Sequence, residues 1–279
     1  MKGQNLWNKK RSQLVATILA FGVGLMFAYP LVWMFISSFK PENEIFGSFH
    51  VFGQHHLSLA NYKRIFANPF YVRWMINSVI VVISSIFIKL LIGSLAGYAF
   101  ARMRFRGRDS IFFVLVLTMM VPWQVILLPQ YYIFQQLHLI NTLYAVILPN
   151  IFDAFAIFMM RQFFIKIPLE ISEAAVLDGC GSFMTFYRIV LPLATPALTA
   201  LGILNFFWIW DQYIQPMIFL NSTKVLTIPV GVSLLQAQYG TSYGMQMAAA
   251  SLAVLPVLVV FIILQRKFVE GVALTGVKG

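Results

Sequence analysis

The chain has 279 residues, of which 60% are hydrophobic and only 10% charged, where an ordinary soluble domain carries about 25% charged residues. With a mean hydropathy of +0.81, this is more apolar surface than a soluble fold of that length can bury, so the bilayer is the main solvent. The net charge of +11 lies in clusters between long apolar runs, which fits membrane topology better than nucleic acid, and the single cysteine, Cys180, excludes an intrachain disulfide framework and a multi-cysteine metal site.

A helix rises about 1.5 Å per residue and the hydrocarbon core is about 30 Å thick, so a crossing takes about 20 apolar residues. That length predicts six spans. The first is the uncharged run 14–37 and the second covers 74–101, interrupted only by Lys89. The uncharged stretch 110–152 is too long for one crossing, and Pro122, Pro129, Gln135, Gln136, His138 and Asn141 mark its turn. It therefore divides into a third span over 110–129 and the start of a fourth over 142–164. The fifth covers 193–210 and the sixth 243–264, and the segment 225–242, with Pro229, Gln236, Gln238 and Gly240, reads as a surface or re-entrant helix. His55 and His56 fall on an outer loop with no carboxylate or thiol beside them, which predicts solvated loop rather than a metal site.

Orientation follows from where the basic residues sit, because cytoplasmic loops retain positive charge. One side collects Lys2, Lys9, Lys10 and Arg11, then Arg102, Arg104, Arg106 and Arg108, then Arg161, Lys166 and Arg188, then Arg266, Lys267 and Lys278; the other holds only Lys40, Lys63, Arg64, Arg73 and Lys224. Both termini are thus expected in the cytoplasm. The organisation is a cytoplasmic N-terminus over 1–13, a six-span domain over 14–265 containing an inner loop at 167–192, and a cytoplasmic tail over 266–279. The first apolar run is longer than the roughly 7 to 15 residues of a secretory signal, and further spans follow, so it is expected to remain as a helix.

The sequence has no phosphate-binding G-x-x-x-x-G-K-[ST], no H-E-x-x-H and no G-x-S-x-G. Nucleotide hydrolysis by this chain alone is not expected, and no nucleophile or metal constellation points to an intramembrane enzyme. No repeated half suggests a secondary transporter with inverted repeats.

The most informative stretch is the inner loop. Pro168 starts a helix through Glu173, Ala174, Ala175 and Leu177, whose alanines allow close approach by another surface; Asp178 and Gly179 end it, with Gly free to take positive φ. Ser182 is expected to cap the next helix, on which Phe183, Phe186, Tyr187 and Val190 are spaced to share one face. Pro192 ends that element, and Pro196 lies early in span five, where a missing amide donor costs little. By composition alone, this is an amphipathic helix on the bilayer surface.

Glu173-Ala-Ala, Asp178-Gly179, Phe186, Ile189, Leu191-Pro192 and Pro196 resemble the EAA loop of ABC importer permeases. The tail from Phe268 through Gly271, Thr275, Gly276 and Lys278 to Gly279 resembles the cytoplasmic end of the maltose-type permease, the smaller of the two permeases in carbohydrate importers, with Val272-Ala-Leu departing from the usual Gly-Leu-Thr. Ser38-Phe-Lys-Pro41, Tyr98-Ala-Phe-Ala-Arg102 with Phe105 and Gly107, and Trp210-Asp-Gln-Tyr213 with Pro216 extend the resemblance over nearly the whole chain.

The resemblance implies an all-α, six-span type I ABC importer permease in a prokaryotic cytoplasmic membrane. It implies a second homologous permease, two ATPase subunits that bind ATP and Mg, an extracytoplasmic solute-binding protein and a carbohydrate substrate, with no cofactor in this chain. Glu173, Ala174, Ala175, Asp178 and Gly179 would form the helix that docks in the ATPase, with Gly271, Thr275 and Lys278 as secondary contacts. Glycerol-phosphate-type or acidic oligosaccharide cargo, and a stand-alone secondary transporter, are the alternatives.

Charged residues inside spans are expensive and usually face a cavity or a partner. Lys89 and Asp153 either line a polar translocation path or pair with each other as a packing contact. Trp208, Trp210, Asp211 and Tyr213, at the outer end of span five, are either interfacial anchors or a sugar-stacking surface. There Asp211 and Gln215 stand where the family pattern often has Asn and Trp.

Overall fold

The computed structural model describes residues 2–45, 57–238, 240 and 242–276, of which 2–12, 238 and 266–276 are described by their backbone. His55, His56 and Lys278 lie outside the described residues. Among the described residues there is no strand. In chain order the helices are α1 (Lys2–Ser37), α2 (Glu42–Ile45), α3 (Ala60–Ala67), α4 (Tyr71–Arg102), α5 (Arg108–Thr118), α6 (Trp123–Gln136), α7 (Tyr144–Ile151) and α8 (Ala154–Lys166). They continue with α9 (Leu169–Leu177), α10 (Ser182–Thr185), a π turn (Phe186–Val190), α11 (Leu191–Leu193), α12 (Thr195–Trp210), α13 (Ile214–Phe219), α14 (Ile228–Gln238) and α15 (Tyr243–Gly276).

Among the described residues, four helical stretches are long and apolar enough to cross a membrane: Gln13–Ser37, Tyr71–Arg102, Tyr144–Lys166 and Tyr243–Gln265. Two bent pairs bring the number to as many as six, α5 with α6 at 98° and Ser182–Leu193 with Thr195–Trp210 at 73°. The sequence predicts a single straight crossing over 110–129, where α5 and α6 bend apart, but it ends the inner-loop element at Pro192, close to the second bend; both breaks have local causes. Pro122 precedes α6 as its N-cap, while Pro129 is retained within the helix. Ala194 separates α11 from α12, each of which carries a proline in its first turn.

The chain packs as two units, Met1–Pro69 with Val232–Val254 and Phe70–Gly231 with Leu255–Gly279. In the first, Asn61 Nδ2 donates to Ser38 O and Lys40 O, both at 3.0 Å. Glu42 satisfies the start of α15, accepting from Tyr243 N at 2.5 Å and Gly244 N at 3.0 Å. A carboxylate there fills otherwise unpaired amide donors and suits the positive end of the helix dipole.

The second unit is organised around α4. Gly93 and Gly97 let α8 approach closely: a Cβ on Gly97 would stand 2.7 Å from Met160 Cβ, and one on Gly93 3.1 Å from Ala156 Cβ. Small residues four apart are a common way for membrane helices to gain backbone proximity. At the Arg102 end of this contact, Tyr98, Phe164 and Phe186 meet edge to face or tilted, with centroids 5.0 to 6.4 Å apart. They join a core that includes Met160, Val190, Ala194 and Leu201.

At its other end α4 holds the segment after α13. Trp74 Nε1 donates to Thr223 O at 2.6 Å, Asn77 Nδ2 donates to Lys224 O at 3.1 Å and Leu226 O at 2.9 Å, and Ser78 Oγ accepts from Ile228 N at 2.8 Å. Asn141, at φ 63°, accepts from the amides of Asn221 and Ser222 at 3.0 and 2.8 Å. The irregular backbone there is thus satisfied by polar side chains, an indole, a hydroxyl and two carboxamides.

Candidate coupling loop and membrane-interior site

The inner loop forms the two helical pieces that its sequence predicts. Pro168 is the N-cap of α9, and Asp178 its C-cap. Gly179 has φ +85°. Cys180 N donates to Ala175 O at 2.9 Å and Gly179 N to Val176 O at 3.0 Å, the two backward bonds of a Schellman ending, in which a left-handed residue closes the helix on its own last carbonyls. The sharp reversal needs glycine because a Cβ in that conformation is strained. Glu173, Ala174, Asp178 and Gly179 are exposed on this turn, and Leu177 is 88% exposed.

Ala175 departs from the expected docking set, being 3% exposed. It faces the protein and contributes through its carbonyl. Two further details differ from the sequence reading. Gly181, not Ser182, stands at the N-cap of α10, and no side chain caps that helix. Phe183, Phe186, Tyr187 and Val190 do not share one face: Phe186 and Val190 are buried, whereas Phe183 and Tyr187 are exposed at 71% and 60%. The π turn at Phe186–Val190 changes the helical period there, so simple α spacing fails across it.

Arg102 fixes the start of this loop. Its Nη2 donates to Phe164 O at 2.7 Å and also to Ile167 O, satisfying carbonyls at the C-terminus of α8. In the sequence Arg102 stands out as a topological charge and as the end of Tyr98-Ala-Phe-Ala-Arg102, but nothing local assigns it to the carbonyls of α8. Gly271 and Thr275 lie on the backbone of α15.

In the second unit Lys89 and Asp153 come together. Lys89, 6% exposed, places Nζ 3.1 Å from Asp153 Oδ2 and donates to Asn205 Oδ1 at 2.5 Å. Asp153 also caps α8, its Oδ1 accepting from Phe155 N at 2.9 Å. Asn205 is oriented by its own donation to Leu201 O at 2.8 Å. The ammonium is therefore matched by a carboxylate and an amide oxygen, which makes its burial tolerable. The sequence marks Asn205 only as a lone carboxamide within an apolar span, and its partner Lys89 lies on a distant helix.

The residues at the end of α12 do not form one aromatic wall. Trp208 is 72% exposed, while Trp210 is buried and stacks on Phe206 with centroids 5.7 Å apart and planes at 18°. Asp211 and Tyr213 are exposed.

Residues 89–273 match the family model described as binding-protein-dependent transport system inner membrane component. The chain belongs to this family. It is a multi-pass membrane protein and a permease component of a binding-protein-dependent transport system. The permease is similar to the arabinooligosaccharides transport system permease protein AraQ of Halalkalibacterium halodurans, with 33% identity over 97% of this chain and 99% of that protein. It is also similar to the diacetylchitobiose uptake system permease protein DasC of Streptomyces coelicolor, with 30% identity over 94% of this chain and 95% of that protein. A solved bacterial ABC transporter involved in the import of the acidic polysaccharide alginate has a chain of the same fold, with a TM-score of 0.80 and 22% identity over 91% of this chain and 95% of that one. The stretch matched by the permease family takes in Lys89, Asp153, Asn205 and the whole inner loop.

Proposed function

We propose that this permease is one membrane half of an ATP-driven importer for an oligosaccharide or related sugar, and that α9 transmits the movement of a cytoplasmic ATPase to the spans. The observation that carries the reading is the exposed α9 turn. Its Schellman ending presents Glu173, Ala174, Leu177, Asp178 and Gly179 on a short, sharply closed helix. Arg102, Tyr98 and Phe186 tie the base of that helix to α4 and α8, so a push on the turn reaches the membrane interior. The protein is not itself catalytic in this reading; ATP and Mg belong to the ATPase.

The names of the relatives support a carbohydrate cargo, and the family description supports delivery by a solute-binding protein. The two bent helix pairs each count as one crossing, giving six, and the distribution of Lys and Arg puts both termini and α9 in the cytoplasm. The membrane is the prokaryotic cytoplasmic one. A second, homologous permease and two ATPase copies complete the assembly, with Gly271, Thr275 and Lys278 as secondary ATPase contacts. Ala175 acts within the turn rather than at the docking surface. Because Lys89 is enclosed by Asp153 and Asn205, the triad holds helices together instead of lining the solute path.

The test is purification of the tagged chain in mild detergent with identification of its partners, comparing wild type with Glu173→Lys combined with Gly179→Arg. Wild type should bring down an ATPase and a second permease, and the double variant should retain the permease and lose the ATPase. Wild type emerging alone, or full ATPase retention by the variant, would overturn the reading.

A further inference from the structure

Between α7 and the corner joining α12 to α13, three side-chain amides are linked in series. Asn150 Nδ2 donates to Val146 O at 2.8 Å and to Gln212 Oε1 at 2.9 Å. Gln212 Nε2 donates in turn to Gln215 Oε1 at 2.5 Å. The series stops there: Gln215 is 4% exposed, and its Nε2 is buried without a hydrogen-bond partner. A buried donor without an acceptor costs free energy, so Gln215 gains from any acceptor that reaches its Nε2. Asn150 and Gln212 are only partly buried, so the series is open at that end, and Gln215 Nε2 meets a solute when its side chain turns toward them.

We propose that Asn150, Gln212 and Gln215 form a subsite for a neutral, hydroxyl-bearing solute, with Asp211 at its edge selecting against anions. This deepens the carbohydrate reading above and rests on it. A primary amide donor with no partner suits an uncharged oxygen acceptor such as a hydroxyl, a ring oxygen or an N-acetyl carbonyl. Asp211, exposed at the C-cap of α12 and adjacent to Gln212, accepts hydroxyl donors and repels a carboxylate or phosphate. Among the described residues of this unit the buried cation is Lys89, which is held by Asp153 and Asn205 and so is not available to balance an anionic cargo. By the charge-derived orientation, the subsite lies toward the outer ends of spans four and five, where an incoming solute first meets the chain.

The complete transporter is expressed in a host that takes up none of the test solutes. Uptake is measured for a panel of neutral trisaccharides (arabinotriose, maltotriose, chitotriose as its N-acetyl form) and for trigalacturonate. Wild type is expected to accumulate at least one neutral sugar and no trigalacturonate. Gln215→Met, similar in shape but without the amide, should lower that neutral uptake at least tenfold while membrane level and ATPase co-purification stay normal. Asp211→Asn should bring trigalacturonate accumulation to at least threefold above the background of the host without the transporter. Normal neutral-sugar uptake by a normally assembled Gln215→Met chain overturns the subsite; if Gln215→Met fails to accumulate, Gln212→Met decides by the same criterion. Wild-type uptake of trigalacturonate at the neutral-sugar rate, or of no neutral sugar, overturns the neutral selectivity. Loss of the ATPase from the wild-type preparation is a different result and counts against the importer reading itself.

Discussion

Lys89 Nζ sits 3.1 Å from Asp153 Oδ2, joining the middle of α4 to the break between α7 and α8, while Asn205 draws α12 into the same contact. The two charges are not equally sheltered: the side chain of Lys89 is 7% exposed and that of Asp153 25%. Removing either partner therefore has unequal consequences.

Asp153→Asn keeps a good helix cap but strands the ammonium in the interior, and is expected to cost about 3 kcal/mol. Lys89→Met leaves a less enclosed carboxylate that still accepts from Phe155 N, and should cost about 1 kcal/mol. The double variant should be closer to wild type than Asp153→Asn alone. Denaturant titration in detergent micelles measures all three. Equal losses in the two single variants would mean that the pair contributes through packing rather than charge.

Gly97 and Gly93 give a graded test of how α4 meets α8. A methyl at Gly97 would lie 2.7 Å from Met160 Cβ and 3.0 Å from Arg161 N, and backbone on the far side leaves little room to yield. Gly97→Ala should destabilise the fold by about 2 kcal/mol, within the range of overpacked cores. At Gly93 the nearest atom is Ala156 Cβ at 3.1 Å, and Gly93→Ala should cost clearly less, about 0.5 kcal/mol. The same titration ranks them, and the reverse order would show that the helices are not packed in this register.

Arg102 touches none of the proposed docking residues, yet it bonds the carbonyls of Phe164 and Ile167 just before α9. Arg102→Ala should leave insertion intact, increase protease cleavage within 167–181, and reduce the recovered ATPase about fivefold, the equivalent of roughly 1 kcal/mol. Arg102→Lys should restore only part of it, because the lysine side chain is shorter and its ammonium falls short of the place where the guanidinium Nη2 meets both carbonyls. Undiminished ATPase recovery with Arg102→Ala would remove it from the coupling path.

Hydropathy is local, so the positions of the apolar helices were legible in the chain, and so was the α9 turn, since Asp178-Gly179 states its own backbone requirement. The bends were less so: Pro122 breaks a span and Pro129 does not, because only the former sits at a helix start. The π turn hid the burial pattern of Phe183, Phe186, Tyr187 and Val190 by changing the period beneath it. Lys89 and Asp153 could be paired as one of two readings, but Asn205 and the amide series at Gln215 depend on contacts between distant helices. No periodicity announces them.

Gly179 separates backbone strain from steric blocking. Nothing lies within 4 Å of a Cβ placed there, but its φ is +85°, so within the chain itself the conformation alone sets the cost. Gly179→Asn should be tolerated best, Gly179→Ala should cost about 1 kcal/mol, and the β-branched Gly179→Val should cost more. Hydrogen exchange at the Gly179 and Cys180 amides, whose bonds to Val176 O and Ala175 O close the turn, reports that order. Capture of the ATPase should follow a different one if the exposed turn is a docking surface: Gly179→Arg should fall furthest, whatever its effect on exchange, because it adds bulk and charge where a second protein must sit. Capture that simply tracks exchange protection across all four variants would mean that Gly179 shapes the loop and that the ATPase contact lies elsewhere on it.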